Sequence, residues 1–568
     1  MAEPSLTEST TADRRKTENI VAPPTSLRNI MRQVGPGLII AANIVGSGEL
    51  IMTTKTGAEA GIKLLWLILL GCVVKIFVQL ELGRFTISHG ETTLSSLNRV
   101  PGPRGSRVNW VVMLWGFMML TTVGQLGGIV GGVGQALSLT IPITGDFDLA
   151  VRTPAENDIR DFADWKLFQA GESPVNTPDS AATLATLSPE DLRIQEFRMG
   201  WIGDDLEQLG ERGIELIRLA EAGLPLEDSA GNSMTTFETD DDRIWVVIVG
   251  LLTAAVLFVG RYKLIERFSV TLVVSFSIIT MGNVIALQMT DRYAITTDML
   301  LQGLSFGFPD VPNALVTAFA TFGIIGVGAT ELISYPYWCL EKGYARSVGP
   351  RENTDAWLSR AKGWFRVMKY DAFASMVIYT IATAAFYLMG VAVLHSEGRN
   401  PEGERMVSTL AQSYVPIFGS YARWLFLGGA IAVLYSTYLV ANASNARMVS
   451  DFLSVVGLRK NEADSDARRK MVTIFSVVLP LACVVVYLVF PKPVTLVAIA
   501  GMTQALMLPI IGFSSVYFRY RETDKRLRPG RLWDTFLIVS CIGLLTAGSW
   551  GLYKTVPMVI TTLQKVIG

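Results

Sequence analysis

The chain has 568 residues, 50% of them apolar and only 17% charged, with a formal net charge of −1. That balance belongs to integral membrane proteins; it excludes a strongly basic nucleic-acid binder and disfavours a soluble helical bundle. Four scattered cysteines and two histidines exclude a disulfide framework and a histidine-rich metal centre.

Residues 1–34 are polar and charged and lack the apolar core of a cleavable signal, so a disordered tail is expected there. Eleven apolar runs follow, each near the ~20 residues that cross ~30 Å of hydrocarbon. They cover roughly 35–54, 63–85, 109–141, 244–260, 266–288, 313–338, 370–394, 421–443, 471–490, 493–517 and 533–553. The expected fold class is therefore an all-α polytopic membrane protein, with spans 1–3 in 35–141 and spans 4–11 in 244–568. Every second loop is basic, beginning with the N-terminus, which places the N-terminus in the cytoplasm. A multi-pass protein of a bacterial plasma (inner) membrane is expected.

The loop between spans 3 and 4, residues 142–243, holds 23 acidic against 8 basic residues, a net of −15. By loop parity this insert is extracytoplasmic. Its 188–225 stretch has helical periodicity and reads as a helical pair or small cap, the remainder as loop. Such an insert is either a solvated addition or a vestibule that concentrates cations.

Span 1 carries Gly46-Ser47-Gly48-Glu49-Leu50, and span 6 carries Gly326, Gly328, Ala329, Thr330, Glu331 and Leu332, with Pro336 beyond. Paired glycine interruptions in corresponding spans of two halves point to the central site of a secondary transporter. Unwinding frees backbone groups that are costly in hydrocarbon, and a substrate or ion can satisfy them. The plainer reading is close helix packing at small residues. An acid in the next turn of each break favours a site, because an intramembrane carboxylate is expensive unless it has work to do. Lys75, mid-span in span 2, and Gln79 one turn on are gating or ion-pair candidates, Glu49 and Glu331 being the possible partners of the ammonium. Glu81 and Arg84 read as a surface pair at i,i+3. Asn43, Tyr335, Tyr435 and Gln504 read as packing residues.

The segment from Gly35-Pro36-Gly37 through Gly57-Ala58-Glu59 to Leu64-Leu65-Trp66 resembles the opening of the Nramp (natural resistance-associated macrophage protein) metal transporters. Gly328-Ala329-Thr330 is similar to that family's G-A-T-x-M-P-H motif, residues 435–453 to its eighth helix and residues 506–510 to its tenth. The resemblance implies a LeuT-like fold of five plus five helices in inverted repeat, with broken helices 1 and 6, working by alternating access. The departures fall on the chemistry. Gly46 and Glu49 stand at the family's metal-binding Asp and Asn, Leu332 at its Met and Ser334 at its His; Gln125 and Gly128 fall near its proton-pathway acids.

What remains for a substrate is Gly46, Ser47, Gly48, Glu49, Ala329, Thr330, Glu331 and Ser334, with Glu49 and Glu331 as metal ligands. That set offers only oxygen, which suits hard ions such as Mg²⁺. The leading expectation is a divalent-cation transporter without a resident cofactor, the cation being substrate, in contact with the lipid bilayer and with no nucleic-acid partner. The alternatives are a carrier of an amino acid or other small organic solute held at the Gly-Ser-Gly break, and a non-transporting sensor. No nucleophile–base pair, phosphate loop or dinucleotide fingerprint supports an enzyme.

Overall fold

A computed structural model describes residues 20–105, 107–177, 189–235, 239–259, 262–309, 311–458 and 465–567. In hydrocarbon a chain must satisfy its own backbone groups, and each apolar run does so as helix. The first run divides into α1 (Pro36–Ile44) and α2 (Thr54–Ala60), joined through a π-helical turn, Ser47–Thr53. The second holds α3 (Leu65–Val73) and α4 (Ile76–His89), and the third is α5 (Trp110–Thr140). The insert contributes α6 (Glu156–Gln169), α7 (Pro189–Gln208) and α8 (Glu211–Glu221). Then come α9 (Asp241–Val259), α10 (Tyr262–Leu287) and the second divided run, α11 (Pro312–Ile324) with α12 (Ala329–Lys342). The series closes with α13 (Asp355–Met389), α14 (Ala422–Val455), α15 (Ser465–Val489), α16 (Pro493–Tyr517) and α17 (Arg531–Ile567).

Among the described residues nine helical segments are long and apolar enough to cross a membrane. One of them, Gly48–His89, joins the second half of span 1 to span 2. The other expected spans are α1, too short alone because of its break, and α10. The expected fold class is borne out: the protein is helical throughout its membrane region, and spans 1 and 6 are both broken. Being five crossings apart, those two spans run in opposite directions. They lie inside the bundle, α1 against α10, α12, α13 and α14, and α2 against α11 and α13. The glycine-rich α5 packs on α9, α14, α15 and α16.

The described part of the expected disordered tail, residues 20–34, is held in place. Trp364 donates from Nε1 to the Val21 carbonyl at 3.0 Å, and a short helix, Leu27–Met31, precedes α1. The insert is a small helical unit with its own core of Ile159, Trp165, Ile202, Leu206, Leu216 and Leu226. It contains α6 where loop was expected, because Ile159, Ala163 and Trp165 supply a further apolar face for α7 and α8. The carboxylate of Asp164 shapes the turn after α6, accepting the N–H groups of Val175, Asn176 and Thr177 at 2.8–3.0 Å. Glu81 and Arg84 are buried rather than on the surface. Arg84 Nε donates to Glu81 Oε1 at 3.2 Å, and Trp533 Nε1 donates to the same oxygen at 2.6 Å, tying span 2 to span 11.

Candidate functional site

Both glycine-bearing spans are interrupted where the glycines stand. In span 1 the helix ends at Ile44; Val45 has ψ 53° and Gly46 has φ −138°, ψ −101°. The Gly46 N–H turns back to the Ile44 carbonyl at 2.6 Å. The chain resumes at Ser47 in the π-helical turn, whose loosened carbonyls draw local hydroxyls: Thr53 donates to Gly48 O at 2.9 Å and Thr56 to Met52 O at 2.7 Å. In span 6 the helix gives way to an extended Ile325 and to Gly326 at φ +56°, a left-handed conformation that side chains resist, before α12 begins at Ala329.

Opposite directions place α1 and α12 on the N-terminal side of the membrane, α2 and α11 on the insert side. Each pair has its own tie. On the N-terminal side, Asn43 donates from Nδ2 to Glu331 Oε1 at 2.7 Å. Glu331 stands in the first turn of α12, where an acid complements the free N–H groups and the helix dipole. On the insert side, Glu49 Oε1 accepts from the Gly326 N–H at 3.3 Å and lies 2.9 Å from the donating Thr383 hydroxyl. Lys75 completes that tie, donating from Nζ to the carbonyls of Phe322 at 2.6 Å and Ile325 at 2.7 Å.

Those contacts correct one sequence expectation and reshape another. Lys75 forms no ion pair with Glu49 or Glu331. The break deprives the last carbonyls of α11 of their i+4 amides, and a cation at a helix C-terminus satisfies them directly. The two acids have separate donors, Glu331 Oε1 accepting from Asn43 and Glu49 Oε1 from Gly326 and Thr383, while Glu49 Oε2 is buried without a hydrogen-bond partner. Gln79 is buried with neither amide atom partnered. The Ser334 hydroxyl turns back onto the Glu331 carbonyl at 3.4 Å.

The group best placed to meet a solute is Glu331. It is partly exposed although Asn43, Ala329, Thr330 and Ser334 around it are buried. Asn43 Oδ1 has no partner. Gln504 accepts the Thr330 N–H at 3.2 Å and donates from Nε2 to Gln125 Oε1 at 2.8 Å, while the Thr330 and Thr122 hydroxyls stand 3.5 Å apart. A Cβ on Gly328 would lie 2.5 Å from Glu331 Oε2 and 2.8 Å from Gln504 Oε1, so the missing side chain is what lets these oxygens converge. Among the described residues no three His, Cys, Asp or Glu side chains gather as a metal site. A cation's protein ligands would be the Glu331 carboxylate and the Asn43, Gln504 and Thr330 oxygens.

Sequence reasoning set Asn43 and Gln504 aside as packing residues and passed over Thr383 and Asp371. Asp371 is buried in α13 and caps α1, accepting the Gly35 N–H at 2.9 Å, the Gly37 N–H at 2.6 Å and the Tyr335 hydroxyl at 3.0 Å. The Gly-Pro-Gly motif is thus a helix start whose exposed donors receive an intramembrane acid. The available signal was Asp371 itself, a carboxylate within an apolar run.

A family model described as natural resistance-associated macrophage protein-like (Nramp) matches residues 233–554. No curated protein sequence is significantly similar to the chain. Among solved structures, a histidine-to-alanine mutant of the Eremococcus coleocola manganese transporter is similar with a TM-score of 0.53 at 12% identity, covering 97% of each chain. The same transporter in complex with an aromatic bis-isothiourea substituted compound gives 0.53 at 14% identity, over 94% of this chain and 90% of that one. A glutamate-to-alanine mutant gives 0.53 at 13% identity and 97% of each chain. At such identities these structures establish the shared fold.

Proposed function

The chain belongs to the Nramp family, and from that premise we propose that it is a secondary transporter carrying a divalent metal cation across the membrane by alternating access. Similar structures of a manganese transporter support the class of substrate. The observation that carries the reading is Glu331, an accessible carboxylate at the N-terminus of a half-helix, opposite the second broken span and ringed by amide and hydroxyl oxygens.

A cation entering the centre neutralises Glu331 and takes the unpartnered Asn43 Oδ1. The amide that now donates to Glu331 then faces a metal-bound carboxylate, so binding acts directly on the contact between α1 and α12. The insert-side halves stay joined through Glu49 and Lys75. Movement of one tied pair against the other exposes the centre alternately to each side. The ligand chemistry favours a hard ion. Leu332 and Ser334 stand where the family has thioether and imidazole, and oxygen ligands with retained water suit Mg²⁺. We place the N-terminus in the cytoplasm of a bacterial cell and the insert outside, following the basic loops.

An amino-acid carrier would be served by one central acid neutralised by Lys75, and that ammonium is engaged by two carbonyls instead. Uptake into proteoliposomes separates the readings. Entry of Mg²⁺ or Mn²⁺ that is lost in Glu331→Gln supports cation transport; entry of an amino acid with no divalent cation contradicts it.

A further inference from the structure

The largest cavity, about 1240 Å³, lies between the insert and the 398–415 loop, and its guanidiniums are matched by acids. Arg399 pairs with Glu397 at 2.9 Å and Arg405 with Asp205 at 2.5 Å, both lying over the Trp201 ring of the insert. Charge is not balanced in this way where spans 2, 7 and 11 meet on the N-terminal side of the membrane.

Lys362, Arg366, Lys369 and Phe373 follow one another at helical spacing along a single face of α13. Lys362 and Arg366 are exposed and Lys369 is partly exposed. Among the described residues none of the three has a hydrogen-bond or ion-pair partner. The one carboxylate near enough to act on Lys369 is that of Glu81. It is already engaged, by Arg84 Nε at 3.2 Å and by Trp533 Nε1 at 2.6 Å. Asp534, the only acid of α17, is held by Arg519 at 2.8 Å. Lys369 Nζ and the Arg84 guanidinium lie 4.9 Å and 5.6 Å from the centre of the same Trp533 ring, so two cations meet at one indole.

Deeper in the membrane the cleft beside this basic stripe is aromatic. Phe77 of α4 stands between Phe373 of α13, at 6.5 Å between ring centres, and Trp533 and Phe536 of α17, each at 5.1 Å. Phe536, Leu532 and Tyr370 are exposed. These residues lie near the N-terminal-side ends of membrane-spanning helices, with the bases at head-group level and the rings at the edge of the hydrocarbon.

We propose that this cleft holds an anionic phospholipid, its phosphate on Arg366 and Lys369 and an acyl chain along Phe373, Phe77 and Phe536. Unpaired bases at head-group level select an anionic lipid over a zwitterionic one, and the aromatic floor fixes where its chain lies. The site stands whatever ion crosses the centre.

The test is native mass spectrometry of the full-length protein, delipidated in neutral detergent and titrated with phosphatidylglycerol, phosphatidylcholine or glycerol phosphate. Saturable binding of phosphatidylglycerol, tighter than that of phosphatidylcholine and weakened about tenfold or more in Arg366→Gln/Lys369→Gln, supports the proposal. Equal binding of the two lipids, or full binding by the double variant, overturns it. Arg469→Gln/Lys470→Gln removes two exposed bases from α15 on the same side of the membrane and should bind as the native protein does. An equal loss there would show only a general attraction to basic surface and would overturn the site. Glycerol phosphate binding as tightly as the lipid would make the occupant a free phosphate, which also contradicts the proposal. Should the double variant fail to fold, Arg366→Gln alone decides, since its exposed side chain bears little on stability.

Discussion

Lys75 Nζ lies 2.7 Å from the carbonyl oxygen of Ile325, the residue at which span 6 stops being helical. A second bond, 2.6 Å to Phe322 O, and the Phe322 ring 4.9 Å away complete its surroundings. The protein thus carries a tethered cation where unwinding has freed carbonyls. Replacing Lys75 by Met leaves both oxygens buried and unsatisfied, at about 1–3 kcal/mol each. The thermal unfolding midpoint in detergent should fall and transport should be lost. Combining Lys75→Met with Glu331→Gln or Glu49→Gln should restore neither, because no ion pair is being relieved. Recovery in a double variant would show that a carboxylate is the true partner.

The two glycines of the span 6 break should fail differently. Gly326→Ala forces a side chain into left-handed backbone at about 1–2 kcal/mol and places its Cβ 2.9 Å from the Cys72 Cα, so the fold itself should weaken. Gly328→Ala meets most closely the tips of Glu331 and Gln504, which can swing away, and less closely the backbone carbonyl of Gly323 at 3.1 Å. Its unfolding midpoint should fall less than that of Gly326→Ala, while metal affinity falls by about tenfold or more, about 1.4 kcal/mol. Circular dichroism melts beside metal titrations distinguish the two.

Lys55 fastens α2 to the loop after span 7, reaching Asn400 Oδ1 at 2.9 Å and Glu402 Oε1 at 2.6 Å besides Glu59 at 2.8 Å. Cutting that fastening should free the insert-side half of span 1. In Lys55→Gln, hydrogen–deuterium exchange should rise in residues 54–60 and 398–405 and stay unchanged in α12. Unchanged exchange in all three would show that the fastening does not restrain the half-helix.

The apolar runs made every span legible, and the two glycine motifs located both breaks, since hydrocarbon length and backbone freedom are written locally. The contents of the site were less legible. An amide inside a span has no local signature, so Asn43 and Gln504 passed for packing although they build the surroundings of Glu331. Charge alone suggested that Lys75 should seek an acid; that carbonyls at a break could serve instead depends on which helix end lies opposite. The net charge of the insert concealed how its loop partner collects arginines over Trp201.

Folding of the insert carries its own pH dependence. Burial pushes the Asp164 carboxyl up, but hydrogen bonds from Asn176, Val175 and Thr177 outweigh this and hold it below its ordinary value of 3.8. A depressed carboxylate gives stability that is fully present above the unfolded value and is lost as pH falls through the folded one. Resistance of the insert to limited proteolysis should therefore be flat from neutrality down to about pH 4 and decline below it. Asp164→Asn should be cleaved more readily at neutral pH and show less of that acid-dependent decline.

The central claim is that one accessible carboxylate, assisted by neighbouring oxygens, receives the cation, while the other acid works as a fastening of the break. Calorimetric titration of the purified protein with Mg²⁺ and Mn²⁺ tests it most directly, with Glu331→Gln and Glu49→Gln alongside. The expected result is binding to the native protein that disappears in Glu331→Gln and survives, weakened, in Glu49→Gln, whose amide oxygen can still accept from Gly326 and Thr383. Full binding by Glu331→Gln would contradict the account.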